Sequence, residues 1–149
     1  MLVWRLAAAR HAGTALSGDG AAAFGGRWNP PGRRMVYTAQ SLALATLEMS
    51  VHLTGGRVKY VAIQFDIADQ LVDALELDGL KRSWATNEMA TQRVGQAWLD
   101  SRQSAALTVP SALVDPRSGE RNVLLNPSHP AVASFREVQR FETLLDERI

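Results

Sequence analysis

Hydrophobic and polar positions alternate in several short stretches of the chain, as they do in strands that bury one face. The alternation is strongest from Val58 to Ile67, where Val61, Ile63 and Phe65 share a face with Ile67. We predict further strands at residues 2–6, 34–38, 105–109 and 121–125. The spacing over residues 135–149 fits a strand pair or a helix, and we favour strand there.

Two other stretches have the three-to-four-residue apolar spacing of helices. The first begins after Ser41, which can cap a helix, and is predicted to run to about Leu53, just before two glycines. The second is predicted to have its cap at Thr86 and to continue for about 15 residues. Its buried stripe is predicted to consist of Ala90, Val94, Ala97 and Trp98.

The first predicted helix is apolar on two sides, which is typical of a helix buried between layers. One stripe contains Leu44, Leu47 and Val51, and the other contains Leu42, Met49 and Leu53, leaving Thr46 and Ser50 to face water. Glu48 lies between the stripes, with His52 one turn further along. Burial of a carboxylate costs several kcal/mol unless it is paired. Glu48 is therefore a candidate functional residue, although a surface position or a pair with His52 also explains it.

A loop rich in glycine, alanine and proline is predicted over residues 12–33, and it contains Gly25-Gly26-Arg27-Trp28-Asn29. Two glycines let the backbone approach a ligand closely, and an arginine can bind a phosphate through two hydrogen bonds. Trp28 adds a large apolar anchor beside them. An ordinary turn with Trp28 packed into the core is the competing interpretation.

Length and composition fit one globular domain over residues 1–149. The strands do not alternate regularly with the helices, so a doubly wound parallel sheet is not predicted. We predict the α+β class, with a mixed, mostly antiparallel sheet core and flanking helices. The formal net charge of +1 disfavours a broad surface for nucleic acid, and no direct nucleic-acid binding is expected.

Several kinds of protein are disfavoured by what the sequence lacks. The chain has no cysteine, and its three histidines have no metal-ligand spacing, so no metal site is predicted. No apolar run is long enough for a membrane-spanning helix, and the first residues lack a signal-peptide pattern, so a cytoplasmic location is expected. Walker, dinucleotide-fold and serine-hydrolase glycine motifs are also absent from the sequence.

The ordered set of motifs resembles the RES domain family, the toxins of bacterial toxin–antitoxin pairs, over nearly the whole chain. The most specific parts are Gly25-Gly26-Arg27-Trp28-Asn29, the strand ending near Tyr37, and the helix with Leu47 and Glu48 about ten residues later. The remaining matches are Trp4-Arg5, Val109-Pro110-Ser111, the stretch from Asn122 to Asn126-Pro127, and His129-Pro130.

The resemblance implies a fold similar to ADP-ribosyltransferases and a site where NAD is bound and consumed as a substrate. It implies that the family's arginines are Arg5 and Arg27, its tyrosine Tyr37, its glutamate Glu48 and its serine Ser111. Glu48, Arg27 and Tyr37 are then expected to be catalytic, and Arg5, Arg27, Tyr37, Ser111 and Asn122 to bind NAD. It also implies an Xre-like antitoxin that blocks the active site, and it leaves a homodimer open.

The chemistry of NAD suits these residue types. Two arginines can clamp the diphosphate, and an aromatic ring suits the planar, cationic nicotinamide. Cleavage of the nicotinamide–ribose bond passes through an oxocarbenium-like state, whose positive charge a nearby carboxylate stabilises. Hydrolysis, phosphorolysis and transfer of ADP-ribose differ only in the nucleophile, and the sequence leaves all three open.

Two other functions stay under consideration. A non-catalytic module that binds NAD or another ligand for regulation could use the same fold, because a fold does not determine a function. A toxin that acts on RNA is the other alternative, and the near-neutral charge disfavours it.

Overall fold

The computed structural model describes residues 1–53, 55–146 and 148 of the chain. In these residues seven strands form one sheet, in the order β4-β5-β6-β2-β1-β3-β7. They are β1 (Leu2–Ala8), β2 (Val36–Ala39), β3 (Lys59–Asp66), β4 (Val72–Ala74), β5 (Ala106–Pro110), β6 (Arg121–Leu125) and β7 (Arg136–Leu144). Neighbouring strands are antiparallel except β4 and β5, which are parallel. The predicted α+β class with a mostly antiparallel sheet is therefore confirmed.

The α-helices are α1 (Asp19–Phe24), α2 (Leu42–Ser50) and α3 (Glu88–Ser101). Ser41 caps α2 as predicted, because its hydroxyl accepts a hydrogen bond from the backbone N–H of Leu44 at 3.1 Å. The cap of α3 is Asn87, one residue after the predicted Thr86, and it accepts from the N–H of Ala90 at 3.1 Å.

Several short elements were not predicted from the pattern. The loop expected over residues 12–33 contains α1, and residues 9–14 before it form a 3-10 helix. Strand β4 has only three residues, too few to show an alternation, and it forms because Val72 to Ala74 pair in parallel with β5. The ambiguous tail is a strand over Arg136–Leu144, as we predicted.

The two faces of the sheet are covered differently. Residues Ala12, Ala15 and Leu16 pack on one face, which includes Val3, Ile63, Phe65 and Val123. Both longer helices cover the opposite face, called the helix face below. Helix α2 packs there on β1, β2 and β3 through Leu44 and Ala45, and α3 packs on β5 and β6 through Trp98 and Leu99.

Helix α2 is shorter than predicted, while residues of both predicted stripes pack against the core, among them Leu42, Leu44 and Leu47. It ends at Ser50, and Val51 is 55% exposed, so the stripe expected to include Val51 is wrong at that end. Thr46 and Ser50 are half-buried, contrary to prediction, and each hydroxyl donates to a carbonyl on its own helix, so neither depends on water for a partner. Ala43 is the exposed position instead.

The buried stripe of α3 also differs from the prediction. It consists of Thr91, Gly95, Trp98 and Leu99, while Ala97 is exposed. A pattern search for large apolar residues misses this stripe, because the helix approaches the backbone of Trp28 closely and needs small residues there. A Cβ atom on Gly95 would lie 1.8 Å from the carbonyl oxygen of Trp28.

Substitution Gly95→Ala is expected to destabilise the protein by about 3 kcal/mol, because α3 or the Trp28 backbone must move to admit the methyl group. The matched control is Gly20→Ala in α1, where nothing lies within 4 Å of the added Cβ and alanine favours the helix. Urea unfolding of both variants measures the difference. Equal stability of the Gly95 variant and the parent protein would contradict this packing.

Candidate active site

Glu48 on α2 is held by two side chains from the sheet. The hydroxyl of Ser111 donates a hydrogen bond to Glu48 Oε1 at 2.6 Å, and Nδ2 of Asn122 donates to the same oxygen at 2.6 Å. Hydrogen bonds to an ionised oxygen are short and strong, so they fix the carboxylate. The alternative pairing with His52 is not observed, because His52 is exposed and makes no such contact.

Sheet pairing brings Ser111 and Asn122 together. Asn122 lies on β6 opposite Ala39 of β2 and Val109 of β5, so its side chain projects from the helix face. Ser111 follows β5 directly and is 1% exposed, and its oxygen also accepts from the N–H of Leu113 at 3.0 Å. Because that contact leaves the hydroxyl proton free, Ser111 is oriented as a donor towards Glu48.

Glu48 Oε2 has a different environment from Oε1. No side chain or backbone group in the described part of the chain donates a hydrogen bond to Oε2, and Glu48 is only half-buried. One carboxylate oxygen therefore anchors the side chain, and the other is available to a ligand.

Tyr37 on β2 connects the same face to the glycine-rich loop. Its hydroxyl donates to Asn29 Oδ1 at 2.6 Å and accepts from the N–H of Trp28 at 3.0 Å. Burial raises the pKa of the Tyr37 hydroxyl above its ordinary value, so the group stays protonated at neutral pH. A Cβ on Gly26 would lie 2.6 Å from this hydroxyl, which explains why glycine is needed at that position.

The loop of residues 25–29 is fastened from its other side by α3. Gln92 donates through Nε2 to the carbonyl of Gly26 at 2.9 Å, and Thr91 donates to the carbonyl of Arg27 at 2.5 Å. Asn29, which is fully buried, donates to the carbonyls of Ala21 and Arg33. The contacts of Thr91 and Gln92 with this loop were not predicted from the sequence, because polar residues in a helix are usually assigned to its solvent face.

Arg27, within this loop, is half-buried. Its NH1 donates to the carbonyl of Ala85 at 2.9 Å, and it forms no ion pair within the described residues. Trp28, beside it, is buried against α3 and has its ring 6.1 Å from that of Trp84. The predicted packing of Trp28 into the core is therefore confirmed.

Arg5 occupies the place where two central strands separate. Strands β1 and β2 pair only at Trp4 and Ala39, whereas β1 pairs with β3 along its full length. Arg5 NH1 donates to the carbonyl of Tyr37 at 3.2 Å, and its buried Nε has no partner in the described chain. Burial lowers the pKa of the Arg5 guanidinium below its ordinary value, although arginine remains charged.

The structure thus connects the residues singled out in the sequence in two groups. Glu48, Ser111 and Asn122 form one directly bonded group on the helix face. Tyr37 carries the second, because it contacts Arg5 through its carbonyl and the Arg27 loop through its hydroxyl. Leu124, opposite Tyr37, is two residues from Asn122, so the two groups are neighbours on adjacent strands.

Residues 1–53, 55–146 and 148 contain neither a metal-ligand cluster nor a membrane-spanning helix. No group of three or more His, Cys, Asp and Glu side chains there is arranged to hold a metal ion. No helix in that part of the chain is both long and apolar enough to cross a membrane.

Comparison with protein families and with curated proteins gives a consistent result. The model of the RES domain matches residues 2–146. A protein of Photorhabdus laumondii named Toxin Res is 33% identical, with 100% of this chain and 97% of the relative covered. A protein of Yersinia enterocolitica with the same name is 32% identical and covered to 99%. A Prs ADP-ribosylating toxin of Sphingobium is 33% identical, covering 98% of this chain and 94% of the relative.

A solved structure supports the fold independently. The Mycobacterium tuberculosis MbcT–MbcA toxin–antitoxin complex contains a chain that superposes with a TM-score of 0.75 at 20% identity. The superposition covers 95% of this chain and 83% of the other. Because the family model spans nearly the whole sequence and full-length relatives exceed 30% identity, this chain belongs to the RES domain family.

Proposed function

We propose that this protein is the toxin of a toxin–antitoxin pair and that it breaks the nicotinamide–ribose bond of NAD. The observation that carries the proposal is the Glu48 carboxylate, which Ser111 and Asn122 hold through one oxygen while the other oxygen stays available. A fixed carboxylate with one available oxygen is what stabilisation of a cationic sugar requires.

The names of the relatives agree with this proposal. Two full-length relatives are named Toxin Res, a third is named an ADP-ribosylating toxin, and the structural neighbour comes from a toxin–antitoxin complex. Transfer of ADP-ribose begins with loss of nicotinamide from NAD. The proposed toxin role and the proposed substrate, NAD, therefore agree with the names of relatives that match this chain along its whole length.

Glu48 acts on the ribose in the proposed mechanism. As the bond to nicotinamide lengthens, the electron pair leaves with nicotinamide and positive charge spreads over the ribose carbon and ring oxygen. The Glu48 carboxylate stabilises this charge and accepts a hydrogen bond from a ribose hydroxyl through Oε2. Because Ser111 and Asn122 hold Oε1, the carboxylate does not have to reorganise during the reaction.

Arg5 and Arg27 bind the diphosphate of NAD in this proposal. A guanidinium has five N–H donors, and each of these arginines uses one donor on a backbone carbonyl. Neither forms an ion pair within the described chain, and the buried Nε of Arg5 needs an acceptor. Phosphate oxygens supply acceptors and opposite charge together.

Tyr37 has two roles in the proposal: its ring contacts nicotinamide, and its hydroxyl holds the loop of residues 25–29. Because both hydrogen-bonding capacities of its hydroxyl are used by Trp28 and Asn29, the hydroxyl is not a proton donor for the substrate. The half-buried ring is assigned to contact with the cationic nicotinamide. The hydroxyl keeps Arg27 in place by holding the loop.

Three kinds of nucleophile can accept the ADP-ribosyl group in the proposed reaction. Water, phosphate or a side chain of a target protein can each attack the ribose carbon once nicotinamide has left. An Xre-like antitoxin blocks the site until the toxin is released. Because the toxin and its antitoxin are made in one cell that supplies NAD, we propose that the protein acts in the cytoplasm. The proposed reaction uses no metal.

A non-catalytic regulatory module on the same fold is the alternative. It would retain the arginines and Tyr37 for ligand binding and would have no need of Glu48. The two donors that converge on Glu48 favour the enzyme, because they fix a carboxylate whose negative charge opposes the binding of an anionic ligand but stabilises a cationic ribose.

Substitution Glu48→Gln is expected to slow NAD consumption by about 100-fold or more, because the amide cannot stabilise the cationic ribose. Gln retains an oxygen that can accept from Ser111 and Asn122, so the circular dichroism spectrum and melting temperature are expected to stay close to those of the parent. Nicotinamide release measured by chromatography gives the rate.

The matched control is Glu120→Gln, which removes a carboxylate bonded to Ser41 at the start of the same helix. This variant is expected to consume NAD at nearly the parent rate. Full turnover by the Glu48 variant, with its fold intact, would contradict the role of Glu48 and favour the non-catalytic alternative.

Substitution Arg27→Ala is expected to weaken binding of ADP-ribose by about tenfold or more, through loss of charged contacts to the diphosphate. Binding of nicotinamide alone is expected to be unchanged, because it has no phosphate. Calorimetry with both ligands makes the test, with Arg93→Ala on the exposed surface of α3 as the control. Equal loss of affinity for both ligands would indicate a general distortion instead.

Substitution Tyr37→Phe is expected to lower the free energy of unfolding by about 2 kcal/mol, because two hydrogen bonds to the loop are lost. Since the ring remains, KM for NAD is expected to rise several-fold with kcat little changed. Tyr60→Phe is the control, as Tyr60 makes no hydroxyl hydrogen bond in the described chain. A large loss of kcat in the Tyr37 variant would instead assign its hydroxyl to the chemistry.

A further inference from the structure

Phe24 is the most exposed large apolar side chain in the described part of the chain, with 88% of its surface in solvent. It is the last residue of α1, whose other apolar residues are a glycine and three alanines. A phenylalanine can bury about 150–250 Å², so an exposed ring forgoes a large hydrophobic stabilisation. Isolated exposed apolar residues are common, and the position of the ring therefore decides what it can bind.

Phe24 lies directly before the loop that carries Arg27. Gly25 turns the chain out of α1 with a φ of +73°, and Gly26 pairs with Asn29 in an isolated β-bridge. Three residues of chain span at most about 11 Å, so the Cα atoms of Phe24 and Arg27 lie within that distance. The exposed ring is therefore next to the arginine that is proposed to bind the diphosphate.

The backbone that carries the Phe24 ring is held by several hydrogen bonds. The N–H of Gly25 and Nδ2 of Asn29 both donate to the carbonyl of Ala21 at 2.8 Å. The N–H of Gly32 donates to the carbonyl of Ala22 at 2.7 Å. The end of α1 is thus fixed to the loop, while the ring itself has solvent around it. A ring held in this way loses little freedom when a ligand covers it.

Aromatic side chains flank Arg27 on both sides along the loop. Tyr37 is attached just after Arg27, through the N–H of Trp28 and the side chain of Asn29. Phe24 lies three residues before Arg27. NAD has a matching order of groups, because its diphosphate lies between the nicotinamide nucleoside and adenosine.

We propose that Phe24 is the platform on which the adenine of NAD stacks. The inference rests on the proposed function, because it takes Arg27 as a ligand of the diphosphate and Tyr37 as the contact of nicotinamide. Adenosine then extends from the diphosphate towards the end of α1, where the exposed ring lies. Stacking of a base on an aromatic ring is favourable, and here it covers apolar surface that the fold leaves in water.

The surroundings of Phe24 indicate that the base is recognised by its flat face. Residues 21–23 are alanines and residues 25–26 are glycines, so none of these neighbours has a side chain that could bond to the edge of a base. Stacking alone distinguishes bases poorly, because every base has an aromatic face. The site is therefore expected to accept dinucleotides in which another purine replaces adenine.

Substitution Phe24→Ala tests the platform through KM. Because stacking contributes equally to the bound substrate and the transition state, KM for NAD is expected to rise about tenfold with kcat nearly unchanged. Nicotinamide mononucleotide has the same nicotinamide–ribose bond but no adenosine, so its KM is expected to be the same in the variant and the parent. Phe24→Trp is expected to retain the parent KM for NAD, because its ring is larger.

Two controls separate stacking from damage to the fold. The melting temperature of Phe24→Ala is expected to equal that of the parent, because a ring that is 88% exposed has few contacts to lose. Leu144→Ala removes another exposed apolar side chain, on the edge strand β7, and is expected to leave KM unchanged. An equal rise in KM for NAD and the mononucleotide, or no rise for either, would overturn the proposal. Weaker inhibition by an antitoxin with KM unchanged would assign Phe24 to that partner instead.

Binding measurements test the platform independently of catalysis. In calorimetry, Phe24→Ala is expected to weaken binding of ADP-ribose about tenfold and to leave binding of ribose 5-phosphate unchanged. A parent protein that binds ADP-ribose through Phe24 but leaves NAD intact would refute the proposed reaction and retain the platform. A parent that consumes NAD and binds ADP-ribose equally well without the Phe24 ring would refute the platform alone.

The expected tolerance for the base has its own measurement. Nicotinamide hypoxanthine dinucleotide differs from NAD at the edge of the purine and keeps its flat face. Its KM with the parent protein is expected to lie within about threefold of that for NAD, and to rise in the Phe24→Ala variant as it does for NAD. A KM more than about tenfold higher with the parent would overturn recognition by the face alone.

Discussion

The attachment of the Glu48 carboxylate to the sheet is the interaction on which the candidate site depends. Two donors from adjacent strands meet on one oxygen of a side chain that α2 provides. Their positions follow from the pairing of β2, β5 and β6, which sets Asn122 beside Val109 and directs it to the helix face. The sheet therefore orients the carboxylate, which belongs to a half-buried residue of α2.

Tyr37 has the corresponding role on the other side of the site. Its carbonyl receives Arg5 where β1 and β2 separate, and its hydroxyl fastens the loop that carries Arg27. Thr91 and Gln92 of α3 hold the same loop from outside. Arg5 and Arg27, which form no ion pair with the described residues, are thus positioned by Tyr37 and α3. Such preorganisation reduces the entropy that substrate binding would otherwise cost.

The sequence predicted most of the strands and the capped start of α2, because each depends on local alternation or on a local hydrogen bond. It did not predict β4, which exists through pairing with β5, nor the buried stripe of Thr91 and Gly95, which follows from close contact with Trp28. The helix pattern marked Glu48 as unusual, but its partners lie 63 and 74 residues away. Ser111 was predicted as a site residue only from the resemblance to the RES family. The hydrogen bonds from Ser111 and Asn122 to Glu48 are evident only in the structure.

In the proposed function, this chain's own residues break the nicotinamide–ribose bond of NAD. The most direct measurement is the concentration of NAD over time with the purified parent protein, with and without phosphate, followed by mass analysis of the products. The account predicts that NAD disappears and nicotinamide appears in equal amount, with ADP-ribose or its phosphate identifying the nucleophile. Stable NAD under both conditions, and with candidate target proteins added, would contradict it.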